Sequence, residues 1–337
     1  VILTRLLAFR NFAGLPFPAS ATPNQWAAAA ERAMAWAARA GFPASVPLSS
    51  CPPRVVRLLR EREILPWRFV PSPGKQGFKH LAAAPDGSAW ALINEVEHLT
   101  LGRLHAGCPA PADAAFPDPE AQPGGSSSDG WARSPRYGFL ASDPGRIGPG
   151  VAIEQLVHLP GLSLARELPA ARNYCAAAGL AFAPAMPWPG SAASPADSGI
   201  FRISSHGRLG MSPGTAYAGY LEAVAPVLRR EAEMRKACLA RHPERLAARV
   251  REALERLSGA PSLSFPELSA ASSFARLGAA LGLARPEIGK ILESLRVTAA
   301  SGHLGVSSER ELTQEEEDFA RANVVRLSLG YQHGQGI

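Results

Sequence analysis

The densest group of reactive side chains in this sequence is Asn94-Glu95-Val96-Glu97-His98. Placed on a strand, Glu95 and Glu97 project to one face and Val96 to the other. Two carboxylates on one face can hold Mg²⁺ or serve as a general base, although the same pair also suits a solvated strand edge. A second candidate is the run Asp143-Pro144-Gly145-Arg146-Ile147-Gly148-Pro149-Gly150. Backbone N–H groups where such a turn opens a helix bind anions, and Arg146 would add a positive charge. The run contains no GxxxxGK[ST] and no GxGxxG after a strand, and by itself it is more often only a turn. His80, His105, His158 and His206 are scattered and suit surface or packing positions better than catalysis. Cys51, Cys108, Cys175 and Cys238 stand alone, without a CxxC pair. That excludes a zinc ribbon or a disulfide scaffold and fits a reducing compartment.

The elements that must position these groups change character along the 337 residues. Asn24 to Ala40 reads as a helix, opened by Thr22-Pro23, with Trp26, Ala30, Met34 and Ala37 on one face, and closed by Gly41. Residues 52–106 read as short strands (Arg54–Leu59, Trp67–Val70, Ser88–Asn94, Leu99–Leu104), with Pro85-Asp86-Gly87 as a turn. The stretch 107–135 is rich in Pro, Gly and Ser and reads as a mobile surface insertion. Structure resumes at Tyr137–Leu140. After the glycine-rich turn, an apolar helix is expected through Leu156 to Leu159 and another over 163–178. A second Pro/Ser/Gly stretch, 184–198, precedes a strand at Ile200–Ser204. A long helix carrying Tyr217, Tyr220, Leu221, Val224 and Leu228 then runs to about His242. Shorter helices follow near 243–257, 266–283, 286–298 and 312–327. The change of period near residue 240 marks the expected boundary between an α+β module and an all-helical one.

Composition narrows the classes. Lys and Arg exceed Asp and Glu by 35 to 29, yet lysine appears only at Lys75, Lys79, Lys236 and Lys290. In so alanine-rich a chain, genome composition accounts for the arginine bias, and no basic stripe interleaved with aromatics accompanies it, so nucleic acid is an unlikely partner. No uncharged apolar run reaches the ~18 residues of a membrane span. Val1–Arg5 lacks the n-region and cleavage site of a signal peptide, and the expected location is cytoplasmic. The first residue is not Met, which fits a numbered chain that begins inside a longer one.

Five segments, taken in order, carry a resemblance. They are Ile2-Leu3-Thr4-Arg5 with Arg10-Asn11-Phe12 and Phe17-Pro18; Ile93 to Leu99; Tyr137-Gly138-Phe139-Leu140-Ala141-Ser142; Gly148-Pro149-Gly150 with His158-Leu159-Pro160; and Gly199-Ile200-Phe201-Arg202-Ile203-Ser204 with Leu209-Gly210. Together they resemble the ATP:guanido phosphotransferases, and most closely the bacterial protein arginine kinases. The resemblance implies an α+β fold: a guanido-kinase catalytic domain over 1–240, with an antiparallel sheet flanked by helices and the insertion 107–135, then a helical C-terminal domain over 241–337. It also implies transfer of the ATP γ-phosphate to a guanidinium nitrogen, with Mg²⁺. Arginines clamp the phosphates, a Glu orients the guanidinium and a Cys sits beside it. Such chemistry is mostly positioning and charge neutralisation.

The sequence departs from that pattern where the chemistry lies. Of the two opening phosphate arginines, the first is Arg5 and the second has become Leu7. Within the Asn94 segment, Glu95, Glu97 and His98 remain as the residual catalytic motif, but the guanidinium-holding Glu is Val96 and a phosphate Arg is Thr100. The family Cys is Asp143, and the Arg nine residues on is Ala152. The last family segment would lie in 181–196, which holds neither Arg nor Glu. Arg146 could substitute in part, leaving Arg5 and Arg146 as the candidate phosphate ligands. The family motif that reads phosphoarginine in the helical tail is represented by Glu317-Asp318-Phe319-Ala320-Arg321-Ala322. Asp318 and Arg321 are retained, and Glu317 replaces an Arg. The acidic run Glu315 to Asp318 also suits the first turn of a helix, where it favours the helix dipole.

The expected function is that of a catalytically impaired pseudokinase in which ATP binding is weak or lost. The alternative is an active phosphotransferase with a site rebuilt from Arg5, Glu95, Glu97 and Arg146. The resemblance points to protein partners in quality control, such as a zinc-containing activator or a AAA+ unfoldase, and to a possible homodimer.

Overall fold

The computed structural model describes residues 1–69, 78–114, 116–117, 130–185 and 198–330. The chain is α+β and forms two compact units interleaved along the sequence. The first comprises Val1–Cys51, Arg68–Gln155 and Ile203–Ala223; the second comprises Pro52–Trp67, Leu156–Arg202 and Val224–Ile337. The long helix α5 (Pro213–Arg241) ends where the change of period places a boundary. The compact units, however, divide elsewhere, because short early segments pack with the C-terminal helices.

The first unit is built around strand β1 (Leu3–Arg10), seven of whose eight residues are buried. Strand β2 (Val46–Pro47), β3 (His80–Ala83), β4 (Ala89–Ile93) and β5 (Leu99–Ala106) precede it across the sheet in the order β2-β3-β4-β5-β1, every pair antiparallel. Beyond β1 come β8 (Val151–His158) and β10 (Ile200–His206), which run from one unit into the other. A small ribbon, β6 (Arg133–Ser134) with β7 (Gly138–Phe139), completes the strands of this unit. The β3–β4 connection is the expected turn, with Asp86 accepting from Ser88 N at 2.9 Å and Gly87 at φ 72°. Helix α1 (Pro23–Arg39) lies against β4. It is opened by reciprocal bonds between Thr22 and Gln25, and it buries Trp26, Ala29, Ala33 and Trp36.

In the second unit β9 (Ala181–Pro184) flanks the start of β10. The remainder is helical: α2 (Pro53–Glu61), α3 (Pro160–Leu164), α4 (Leu168–Ala177), the later part of α5, α6 (Pro243–Gly259), α7 (Phe265–Ala280), α8 (Glu287–Thr298), α9 (Ser301–Ser307) and α10 (Gln314–Gly330). Leu257, Leu263, Leu268, Leu292, Leu295 and Val325 form the core of its C-terminal part.

Several expectations are corrected. Arg54–Leu59 lies in α2, not on a strand: Pro53 supplies a helical first turn, and Val55, Val56, Leu58 and Leu59 recur at i, i+3. Of the expected helix at Leu156–Leu159, residues 156–158 belong to β8 and Leu159 precedes α3, and the expected helix over 163–178 is broken into α3 and α4. A strand buried on both faces reads as a continuous apolar run, which periodicity does not distinguish from a buried helix. Trp67–Phe69 is turn or irregular, and Val70 lies outside the described residues. The flanks of 107–135 are not a free insertion. Tyr217 donates to Pro109 O at 2.8 Å, Phe116 meets Tyr217 edge-on, and buried Trp131 stacks on Phe12 with centroids 5.0 Å apart. Residues 115 and 118–129 lie outside the described residues. Helix α9 has no counterpart among the expected helices.

Within the second unit α9 crosses α2 at Gly302, where a Cβ would come within 2.3 Å of Leu58 N. The closeness lets Glu61, which is 1% exposed, accept from Gly302 N at 2.7 Å and His303 N at 3.2 Å. Burial pushes its carboxyl up to about 7, and the two N–H groups only partly oppose this. A group that holds its proton more tightly when folded stabilises below its unfolded value and loses that contribution as pH climbs through the folded one. Between pH 4.5 and 7 this group should therefore withdraw on the order of 3 kcal/mol. Glu61→Gln is expected to flatten the decline of Tm with rising pH across that window; a calorimetric pH series identical to that of the wild type would refute the assignment.

Candidate functional site

The Asn94–His98 segment is not a strand but the bend joining β4 to β5, with Asn94 at φ 54°. Strand parity therefore does not apply to its two acids. Glu97 is sealed at 0% exposure, while Glu95 is half-buried. Among the described residues no group of three or more His, Cys, Asp or Glu side chains converges as a metal site. The bend is held by Asn11, just beyond the end of β1. Its Nδ2 donates to Glu97 Oε2 at 2.6 Å and to Leu140 O at 3.2 Å, and its Oδ1 accepts from His98 N at 2.9 Å. Ser142 N also donates to Glu97 Oε2, at 2.9 Å, and Ser142 Oγ donates to Val96 O. Asn94 anchors the other end by donating to Trp26 O and Phe78 O.

His98 is 1% exposed and serves this framework. Phe12 N donates to its Nδ1 at 3.1 Å, so Nε2 carries the proton and donates to Pro16 O at 3.0 Å. Burial lowers its pKa and keeps the ring neutral. With both nitrogens committed to backbone, His98 fixes the 11–16 turn and has no proton to exchange.

The two candidate phosphate ligands are both engaged by carboxylates. Arg5 pairs with Glu154 at 3.2 Å, its guanidinium 5.5 Å from the Trp90 ring. Arg146 lies over the Phe9 ring at 4.2 Å, with Glu97 Oε1 and Asp143 Oδ2 each 3.6 Å away. Asp143 caps its own turn by accepting from Gly145 N at 2.9 Å. His206 lies in the same electrostatic neighbourhood; burial lowers its pKa first, and Arg146 lowers it further against Asp143 and Glu154. Two arginines thus face three carboxylates. Arg10, 1% exposed, donates to Phe9 O and Gly150 O and stacks on Phe139 at 3.6 Å.

The three positions at which the resemblance leads one to expect arginines are buried in the sheet: Leu7 at 5% exposure, Thr100 at 7% and Ala152 at 1%. Directly opposed residues of antiparallel neighbours share a face. Leu7 opposes Gly102, which opposes Trp90; Phe9 opposes Thr100, which opposes Leu92. Gly102 is required there, since a Cβ would come 2.0 Å from the indole of Trp90. These rows are apolar apart from Thr100. The structure brings together Glu97, Asp143 and Arg146, and separately Arg5 with Glu154. Glu154, Asn11 and His206 were not singled out from sequence as parts of the site; Glu154 was hidden by the reading of β8 as a helix.

In the second unit Arg321 is fully buried. It donates to Ala299 O at 2.9 Å, Leu263 O at 3.0 Å and Asp318 Oδ1 at 2.6 Å. Glu317 lies 3.5 Å from it and is also held by Ser301 Oγ and by Arg57 Nη1 at 3.0 Å. The Glu317 carboxylate is therefore occupied by guanidinium groups of the same chain. The first turn of α10 is capped instead by Glu316, which accepts from Thr313 N at 2.9 Å.

Residues 125–234 match the ATP:guanido phosphotransferase C-terminal catalytic domain, and residues 243–335 match the protein-arginine kinase McsB C-terminal domain. The protein-arginine kinase of Moorella thermoacetica is 28% identical over 341 residues, covering 98% of this chain and 93% of the relative. That of Shouchella clausii is 26% identical over 255 residues, covering 74% and 68%. Among solved structures, lombricine kinase aligns with a TM-score of 0.56 at 18% identity, over 70% of this chain and 67% of that one, a likeness of fold.

Two substitutions check these networks. Asn11→Ala strands the Glu97 carboxylate and the His98 N–H together, and should lower unfolding free energy by about 2–4 kcal/mol in a urea titration. Glu317→Arg would set a third guanidinium against Arg57 and Arg321, with an expected loss of about 2–4 kcal/mol. A neutral result for Glu317→Arg would show that Arg57 does not depend on that carboxylate.

Proposed function

We propose that this chain, which belongs to the ATP:guanido phosphotransferase family and has its relatives among the protein-arginine kinases, is an impaired phosphotransferase with a binding or regulatory role. The family reaction moves a phosphoryl group from ATP to a guanidinium. One observation carries the reading of impairment. The sheet face bearing three family arginine positions is the apolar lattice around Leu7, Gly102 and Trp90, and the two arginines left nearby are paired with carboxylates.

Mg·ATP brings net negative charge, and family members meet it with several guanidinium groups. Here three carboxylates surround two arginines, an arrangement that offers the phosphates no net positive field. Releasing Arg5 or Arg146 would leave Glu154 or Glu97 without its cation, so the donors do not suit the triphosphate. Removing a single pre-organised donor to a transition state typically costs about 10²–10³ in rate. Val96 and Asp143, standing for the family Glu and Cys, remove the groups that would orient the accepting guanidinium. The retained framework of Asn11, Glu97 and His98 supports the hairpin and does no proton transfer of its own.

A scaffold kept while its chemistry is removed suits a protein that binds partners of an intact system. On this reading the partners belong to protein quality control, an activator protein or an unfoldase, and the chain acts through its surface. The decisive assay is Mg·ATP-dependent phosphoarginine formation on an arginine-rich test protein, read by mass spectrometry under conditions that preserve the P–N bond. The expected yield is at least about 10⁴-fold below that of an intact protein-arginine kinase run in parallel. Turnover within tenfold of that enzyme would establish the rebuilt active site instead.

A further inference from the structure

Four segments of the second unit meet on one histidine. His158, the last residue of β8, is 6% exposed, and its Nε2 lies 2.9 Å from Ser273 Oγ on α7. Gly199, immediately before β10, packs over both groups: a Cβ there would come 2.7 Å from Ser273 Oγ and 3.3 Å from His158 Cδ2. Leu159 N donates to Gly199 O at 2.7 Å and fixes that approach. From α5, Arg235 Nη2 donates to the His158 carbonyl at 2.6 Å. The ring of His158 thus joins the end of β8 to α7, and its backbone joins that end to α5.

The joint accepts only a neutral ring. Nδ1 of His158 is sealed from solvent and has no hydrogen-bond partner. With the ring proton on Nε2, donated to Ser273 Oγ, Nδ1 is left as a lone pair, and a buried unused acceptor is tolerated better than a buried unused donor. A second proton would have to sit on Nδ1, as a donor without an acceptor and on a charge without a counter-ion. None of the packed elements supplies that counter-ion. On α7, Ser273 is neutral, and Arg276, one turn further on, is a cation. On α5, Glu231 already accepts from Gly161 N, Leu162 N and Arg235 Nε. Arg202 of β10 is paired with Glu63. Helix α3 has no charged residue. Burial first, and then the positive charges of Arg276 and Arg235, hold the His158 pKa well below the ordinary imidazole value.

We propose that His158 is an acid-sensitive latch of the second unit, whose protonation frees α7 from the end of β8 while the C-terminal helices stay together. Those helices share an apolar core of Leu257, Leu263, Leu268, Leu292, Leu295 and Val325, which has nothing to titrate. The closed joint binds one proton fewer than the open one. It therefore holds fully above the ordinary imidazole value of about 6.5 and weakens as pH falls below it. That is the reverse of Glu61, whose contribution is lost as pH rises. The latch does not depend on whether phosphoryl transfer is retained.

The test uses the full chain. Amide hydrogen exchange, corrected for the intrinsic effect of pH, is followed over 156–164 and over α8 from about pH 7.5 to pH 5. The opening constant of 156–164 should rise about tenfold per pH unit below about 6.5, while α8 keeps its protection. His158→Gln keeps a donor for Ser273 but cannot take a proton, and should abolish that slope. Ser273→Ala removes the partner and leaves the titrating ring, so it should raise opening at every pH and retain the slope. A purely structural histidine would give wild type and His158→Gln the same pH profile, and that result overturns the proposal. Equal loss of protection in 156–164 and α8 also overturns it, because the helices would then be unfolding as one with the joint. Should His158→Gln fail to fold, the wild-type ring decides by NMR: a His158 signal that titrates at about 6.5 in the folded chain refutes the latch, and one that stays neutral to about pH 5.5 while 156–164 opens supports it.

Discussion

The amide of Asn11 is the contact on which the organisation of the first unit depends. One side chain, 1% exposed, ties the end of β1 to the bend between β4 and β5 and to the segment at Leu140. Its donor and acceptor are both used against buried groups, Glu97 Oε2 and His98 N, so neither β1 nor the bend can shift alone without stranding a buried polar group. Glu97 and His98, which look like chemistry in the sequence, are the other members of that network. Their burial gives both residues a structural reason to be there.

Three buried arginines take structural roles. Arg10 is held by backbone carbonyls and the Phe139 ring, Arg321 by two carbonyls and Asp318, and Arg5 by Glu154. A guanidinium has five donors in a fixed plane and a weakly hydrated face, so it can be buried where carbonyls and aromatic rings surround it.

Much of the architecture was legible in the chain. Helix α1, the Asp86-Gly87 turn, β4, β5, β10 and the helices from α5 onward other than α9 carry local signals: a Pro and a capping pair at the start, a glycine at the stop, or alternation between two faces. The order of the five family segments was legible too, since it depends on residue identity and not on contacts. Misreadings fell where local pattern is ambiguous. In β8, burial on both faces erases the alternation that marks a strand, while α2 is only nine residues long and has few periods to show. The low-complexity look of 107–135 concealed Trp131 and Phe116, whose partners Phe12 and Tyr217 lie far away in sequence.

By itself the sequence determined which side chains are available, and hence what chemistry each of Leu7, Val96, Thr100, Asp143 and Ala152 can and cannot supply. That is a matter of side-chain chemistry, which no fold can alter. Only the tertiary structure decided what the remaining polar residues do. It places Glu154 against Arg5 and Arg57 against Glu317. Whether a charge is a ligand or a staple depends on its neighbours across space and on the water that burial takes away, and neither is written in local sequence.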